Sequence, residues 1–284
     1  MIGAGSYILS AVLLAALVLS LGFSAVRLRQ KLMPDWEGAP AHLVEAVTGV
    51  ALLIWLSELL GVVNLLYAGT LVGAAVLLGA AIALASARGR APGGSDRALG
   101  FSPHGFSLPQ SGRGEKQDAA PAHTPAAPST AATLVAIGVV AVVFAHWGLT
   151  TADALSRGIF NFDSLWYHLP FAVDMAQSHS VTGLHYTETV FTNWFYPQNS
   201  ELLHSVGILL THRDTLSLFL NFGWLAMAFL AAWCIGRPYG RGPLSVVAAA
   251  VILECHTLVV REPGAAKNDL MAAALLLAAI AILV

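Results

Sequence analysis

Apolar runs of bilayer-crossing length recur along this chain, and they limit its fold more than any other feature. A hydrocarbon core about 30 Å thick takes roughly 20 apolar residues as a helix. Only helices or closed barrels satisfy every backbone polar group inside lipid. Residues 6–26, 42–62, 65–87, 133–149, 215–235 and 243–260 read as spans, and a seventh begins at Asp269. The expected fold is therefore all-α, a polytopic transmembrane bundle of about seven spans with a large outer loop containing juxtamembrane helices. Composition agrees: 57% of the 284 residues are hydrophobic and 11% are charged, against about 25% charged in ordinary soluble domains. A net charge of −2 gives nucleic acid nothing to bind. Cys234 and Cys255 lie inside apolar runs and read as packing residues rather than a disulfide. The last residues, LMAAALLLAAIAILV, are apolar to the end, as expected of the N-terminal part of a longer chain.

Three parts follow from this pattern. Residues 1–87 form a three-span segment whose first run is followed, not preceded, by RLRQK, which favours an anchor over a signal peptide. Residues 88–131 are rich in Pro, Ala, Gly and Ser and read as a disordered cytoplasmic linker. Residues 132–284 carry the remaining spans and an outer loop at 151–214. With the N-terminus outside, ten Lys and Arg fall on the cytoplasmic side and four outside, as the positive-inside rule requires. That arrangement puts 160–201 and REPGAAKND (residues 261–269) on one face. Residues 200–211 are apolar but too short to cross, and read as an interfacial or re-entrant helix.

Candidate chemistry concentrates on that face. Asp163, Tyr167, Pro170 and Asp174 fall on one side of a helix, with Asp163 placed to cap it and Pro170 placed to kink it or delay its start. Asn268 or Asp269 can cap the helix after REPGAAKND, and Arg261 and Lys267 bracket that loop as an anion or phosphate site would require. The aromatics near 160–201 suit interfacial anchoring and, more weakly, stacking on sugar rings. His168, His179, His185 and His204 follow no metal-ligand spacing. Glu45 and Glu58 read as interfacial carboxylates. No GxSxG, P-loop or GxGxxG motif is present.

The order of features is more specific than any one of them. A span leads to FDSLWYHLP, then YPQNSELLHSVGILL, a span, GRPYGRG, a span, and REPGAAKND at the head of a helix. This order resembles the GT-C superfamily of membrane glycosyltransferases, in particular its protein-mannosyltransferase and aminoarabinose-transferase group. The resemblance covers 133–284. It implies a sugar donor on a polyprenyl phosphate, drawn laterally from membrane lipid, and transfer to an acceptor hydroxyl at the extracytoplasmic face. By the same resemblance Asp163 matches the acidic residue of the first outer loop and is the general base, and Asp269 is the second acidic residue. Lys267 and Arg261 would stabilise the departing phosphate, with Tyr167, His168 and Glu201 binding or orienting substrate. One departure is plain: Ser164 follows Asp163 where the family often has a second acid. A divalent cation is the one cofactor this reading leaves open. The competing reading is a non-catalytic transporter half or assembly subunit with a ligand-binding loop. A transporter would place its ionisable groups near the midplane, whereas here they gather at the surface.

Overall fold

The computed structural model describes residues 4–88, 128–187 and 193–284. The expected linker lies outside the described residues except at its two ends, and so do Glu188 and Phe191 of the central stretch. Ten α-helices occur among the described residues, which contain no strand.

Among the described residues, five helices are long and apolar enough to cross a membrane. They are α1 (Ala4–Leu32), α2 (Ala39–Val62), α3 (Ala68–Arg88), α4 (Thr130–Arg157) and α7 (Thr215–Gly236). The chain is thus all-helical and of multi-pass character, with five such helices rather than the seven expected. The sixth expected span breaks into α8 (Gly242–Leu253) and α9 (His256–Arg261). Glu254 ends α8 and Cys255 turns extended, at φ −64° and ψ 144°. The Glu254 carboxylate pairs with Nδ1 of His146 on α4 at 2.7 Å, which gives a polar residue inside an apolar run a reason to leave the helix. At 1.5 Å per residue α8 is about 18 Å long, well short of the hydrocarbon thickness. The last helix, α10 (Asp269–Leu283), is also shorter than a full span.

Helix α7 is the axis of the packing. Ala228 and Ala231 on it share one core with Ala274 and Ala278 of α10, where small side chains let two backbones approach closely. Leu43 and Ile54 of α2 enter the same core, so the N-terminal helices pack directly against the remainder. Two short helices complete the bundle, α5 (Leu169–Ser178) and α6 (Asn199–Thr211). The α6 helix buries ten of its thirteen residues, from Ser200 to Gly207 together with Leu209 and Leu210. It is enclosed by protein rather than laid along a surface.

The loops sort to two ends. At one, His179 stacks on Tyr67 with ring centroids 3.7 Å apart and donates from Nδ1 to the Leu66 carbonyl (3.1 Å). Arg213 lies over the ring of Tyr7 at that end, 5.7 Å from its centroid. At the other end Arg29 pairs with Glu45 at 2.9 Å and donates to the carbonyl of Trp36. Segments that the charge rule assigns to one side of a membrane therefore gather at one end of the bundle.

Candidate active site

The site begins with a proline that cannot donate a hydrogen bond. Pro170 has no N–H to complete an α-helical turn, and the turn before it widens into a π-helix at Ser164–His168, in which the Leu169 N–H donates to the Ser164 carbonyl. Pro170 then stands at the start of α5, so the regular helix begins only at Leu169, the later start that the sequence allowed in place of a kink. Such single-turn bulges occur often at functional sites. Asp163 does not cap this helix as expected. It is already helical, at φ −62° and ψ −40°, with no capping bond. Asn161 takes that role, its Oδ1 accepting from the Ser164 N–H at 3.2 Å. The Asp163 carboxylate is left to other work, with 40% of its side chain exposed.

Facing it is the loop between α9 and α10, pinned by three other elements. Asn221 of α7 donates from Nδ2 to the Glu262 carbonyl (2.6 Å) and the Ala265 carbonyl (3.2 Å). The Ala266 N–H donates to Oγ of Ser164 (3.0 Å), and Oγ of Ser200 on α6 donates to the Lys267 carbonyl (3.1 Å). Gly264 makes the turn at φ +68°, where a Cβ would lie 2.6 Å from that of Ala154. A non-glycine residue in this backbone region costs about 1–3 kcal/mol, and the contact adds to it. Gly264→Ala is expected to lower the temperature at which the detergent-solubilised protein loses monodispersity. An unchanged value would mean the loop is not held as described.

These anchors place Lys267, itself buried, among three carboxylates. Its Nζ lies 2.7 Å from Oδ2 of Asp269, 2.9 Å from Oε1 of Glu262 and 3.8 Å from Oδ2 of Asp163. Burial works against the ammonium, yet the hydrogen bonds to Asp269 and Glu262 outweigh it and hold Lys267 above its ordinary pKa. Burial also raises the Glu262 carboxyl, with Lys267 partly offsetting it. Asp269 stands in the first turn of α10, where a negative charge also meets the helix dipole favourably. Tyr167, half-buried beside the cluster, has its phenol raised to about 12 by burial and by the charges of Asp163, Glu201 and Asp269, so it stays protonated at neutral pH.

Behind Tyr167 lies a second, enclosed polar group. Nδ1 of His168 contacts Oε1 of Glu201, both side chains being almost wholly buried. His204 lies beside them, its pKa lowered to about 3 by burial and by His168, which makes it a neutral imidazole. Among the described residues, four buried side-chain atoms in this stretch have no hydrogen-bond partner: Nε2 of His168, Oε2 of Glu201, Nδ1 of His204 and Oγ of Ser205.

The structure thus brings Asp163, Asp269 and Lys267 together and sets Tyr167 beside them. Three expectations need correction. His168 and Glu201 are sealed inside the bundle, so they support the site from behind and offer no surface to substrate. Arg261 is exposed and makes no ion pair among the described residues; it lines a separate shallow pocket with Asp153 and Asn161. Lys267 is enclosed by carboxylates, so Lys267 and Arg261 do not form one phosphate cradle.

Glu262, Asn221, Ser164 and Ser200 were not anticipated as parts of the site. A lone amide in the apolar run LFLNFGWL was the signal for Asn221, since such residues in spans bond to other segments. Glu262 could have been suspected from its place in the loop with Lys267. No group of three or more His, Cys, Asp or Glu among the described residues is placed to hold a metal. Lys267 Nζ itself lies between the three carboxylates and is the positive charge they share. No protein-family model, curated protein or solved structure matches the chain.

Proposed function

We propose that the chain is the core of a membrane glycosyltransferase that moves a sugar from a polyprenyl phosphate to an acceptor hydroxyl at the extracytoplasmic face. The observation that carries this reading is the meeting of Asp163 and Asp269, about a hundred residues apart in sequence, on the one ammonium of Lys267. Lys267 fixes Asp269 and Glu262 and leaves Asp163 the least engaged carboxylate. A carboxylate in that condition is suited to act as a general base. Asp163 takes the proton of the acceptor hydroxyl as its oxygen attacks the anomeric carbon. The bond from that carbon to the phosphate oxygen breaks, and the phosphate leaves with the electron pair. Three carboxylates and one ammonium leave the cluster two charges negative, which keeps the phosphate away from it. Exposed Arg261, on the far side of the same loop, is the cation left to receive the phosphate.

The end that holds the site is, in this reading, the outer one, because it carries only Arg157, Arg213, Arg261 and Lys267. The test uses the full-length protein in liposomes with a labelled polyprenyl-phosphate sugar. Label should pass from the lipid extract to a water-soluble or protein-bound acceptor. Label that stays on the lipid would favour the non-catalytic reading. Within the transfer assay, Arg261→Ala should raise the donor KM about tenfold, equivalent to ~1.4 kcal/mol of binding. An unchanged donor KM would remove Arg261 from the site.

A further inference from the structure

Asp163 is aimed at Lys267 by a closed set of three contacts, and one of them is costly to bury. Oγ of Ser164, at the head of the π-turn, accepts from the Ala266 N–H of the Lys267 loop (3.0 Å). Oγ of Ser200, in the first turn of α6, donates to the Lys267 carbonyl (3.1 Å). His168, at the tail of the π-turn, meets Glu201, the neighbour of Ser200, through Nδ1 and Oε1. The π-turn, the Lys267 loop and the start of α6 therefore brace one another in a triangle. Without the His168–Glu201 side, polar contacts hold the turn at its head alone, through Ser164 and through Asn161 on the Arg261 carbonyl (3.2 Å).

Stability does not explain the pair. Both side chains are almost wholly buried, and Nε2 of His168 and Oε2 of Glu201 have no hydrogen-bond partner among the described residues. A buried carboxylate and its partner usually contribute less than well-packed apolar side chains of similar volume would, and their best-attested use is to fix register. Register is what this turn needs. A π-turn is a rare conformation, kept here by the Leu169 N–H reaching the Ser164 carbonyl five residues back. Relaxation to an α-turn would shift the residues before Leu169 by one position, about 100° around the helix axis. Asp163 would then turn away from Lys267, because it makes no capping bond and its 3.8 Å approach to Nζ is its one ion pair among the described residues. We propose that His168 and Glu201 are positioning residues for Asp163: their contact locks the π-turn against α6 and so keeps the carboxylate beside the lysine. The use made of that position, activation of an acceptor hydroxyl, rests on the transfer reaction proposed above.

A carbodiimide joins a carboxylate to an amine only where the two already lie together, so it reads the aim of Asp163 without turnover. With the full-length protein in nanodiscs, peptide mass spectrometry should find an amide between Asp163 and Lys267. A second amide, between Asp269 and Lys267, serves as internal reference. Replacing the pair together, His168→Leu with Glu201→Leu, should keep thermal stability at or above that of the wild type. It should abolish the Asp163 cross-link and retain the Asp269 one. Glu201→Gln, which keeps an acceptor for His168, should retain both. An Asp163 cross-link that persists in the double-leucine protein, or is missing from the wild type or from Glu201→Gln, would overturn the proposal. So would loss of both cross-links together with stability in the double-leucine protein, since the pair would then hold the fold rather than the aim. In the transfer assay the double-leucine change should lower kcat by up to about a hundredfold, the cost of a ~1 Å misplacement, with donor KM unchanged. It should add nothing to Asp163→Asn, because both changes act through one carboxylate. Cross-links as expected in a protein that transfers no sugar would overturn the transfer reading and leave the positioning role standing.

Discussion

Lys267→Met should cost the fold ~3–5 kcal/mol, the usual penalty for removing one partner of a buried ion pair. Lys267 is the only cation within salt-bridge reach of Glu262 among the described residues, and Glu262 is as deeply buried as the core leucines around it. Without the ammonium, a carboxylate already raised by burial has no counter-charge. The expected result is a large fall in thermal stability in detergent, and poor yield. Two controls separate this from a general packing defect. Glu262→Gln added to Lys267→Met should recover most of the loss, because the orphan charge is gone.

The sign of the pH effect supplies the other control. A carboxyl whose folded pKa is raised contributes stability below its ordinary range and loses it as pH rises through the folded value. Lys267→Met should therefore be more stable near pH 5 than near pH 8, while the double variant should show little such dependence. A pH-independent defect in the single variant would point to lost packing of the lysine stem.

What the sequence made legible follows from the reach of each physical rule. Apolar run length located five long helices well, because spanning depends on length and composition alone. It failed over 243–260, where Glu254 was averaged into its neighbours although its carboxylate had a partner on α4. Charge bias between loops was enough to gather Asp163, Lys267 and Asp269 at one end, since sidedness is a property of whole segments. Which groups touch is set on a finer scale. Helical spacing put Tyr167 on the face of Asp163 and the family resemblance added His168 and Glu201, but neither could show that His168 and Glu201 turn inward, toward His204. Asp163 suited a cap by residue type, yet Asn161 two positions earlier took the bond, because the π-turn before Pro170 starts the helix sooner. Glu262 stayed hidden for a similar reason: its closeness to Lys267 depends on the Gly264 turn and on Asn221, sites set by tertiary packing.

Asp163→Asn should reduce the transfer rate by about 10²–10⁴-fold, the usual contribution of a general base. The fold gives little reason for any other effect. Asp163 makes no capping bond, stands 3.8 Å from Lys267 where the other two carboxylates are a full hydrogen bond away, and is substantially exposed. Asn keeps its size and removes only its charge and basicity, and a partly exposed ion pair contributes ~1 kcal/mol at most. Expression and thermal stability should therefore match the wild type. Asp269→Asn should differ, since it loses a 2.7 Å partner of Lys267 and should lower stability and rate together.

The most direct measurement is the single-turnover rate of transfer from a labelled polyprenyl-phosphate sugar, with full-length wild type and Asp163→Asn compared in the same liposomes. The general-base role of Asp163 requires transfer by the wild type and a loss of at least about a hundredfold in the variant, with the two proteins equally stable. Asp163→Asn transferring sugar at close to the wild-type rate would contradict it.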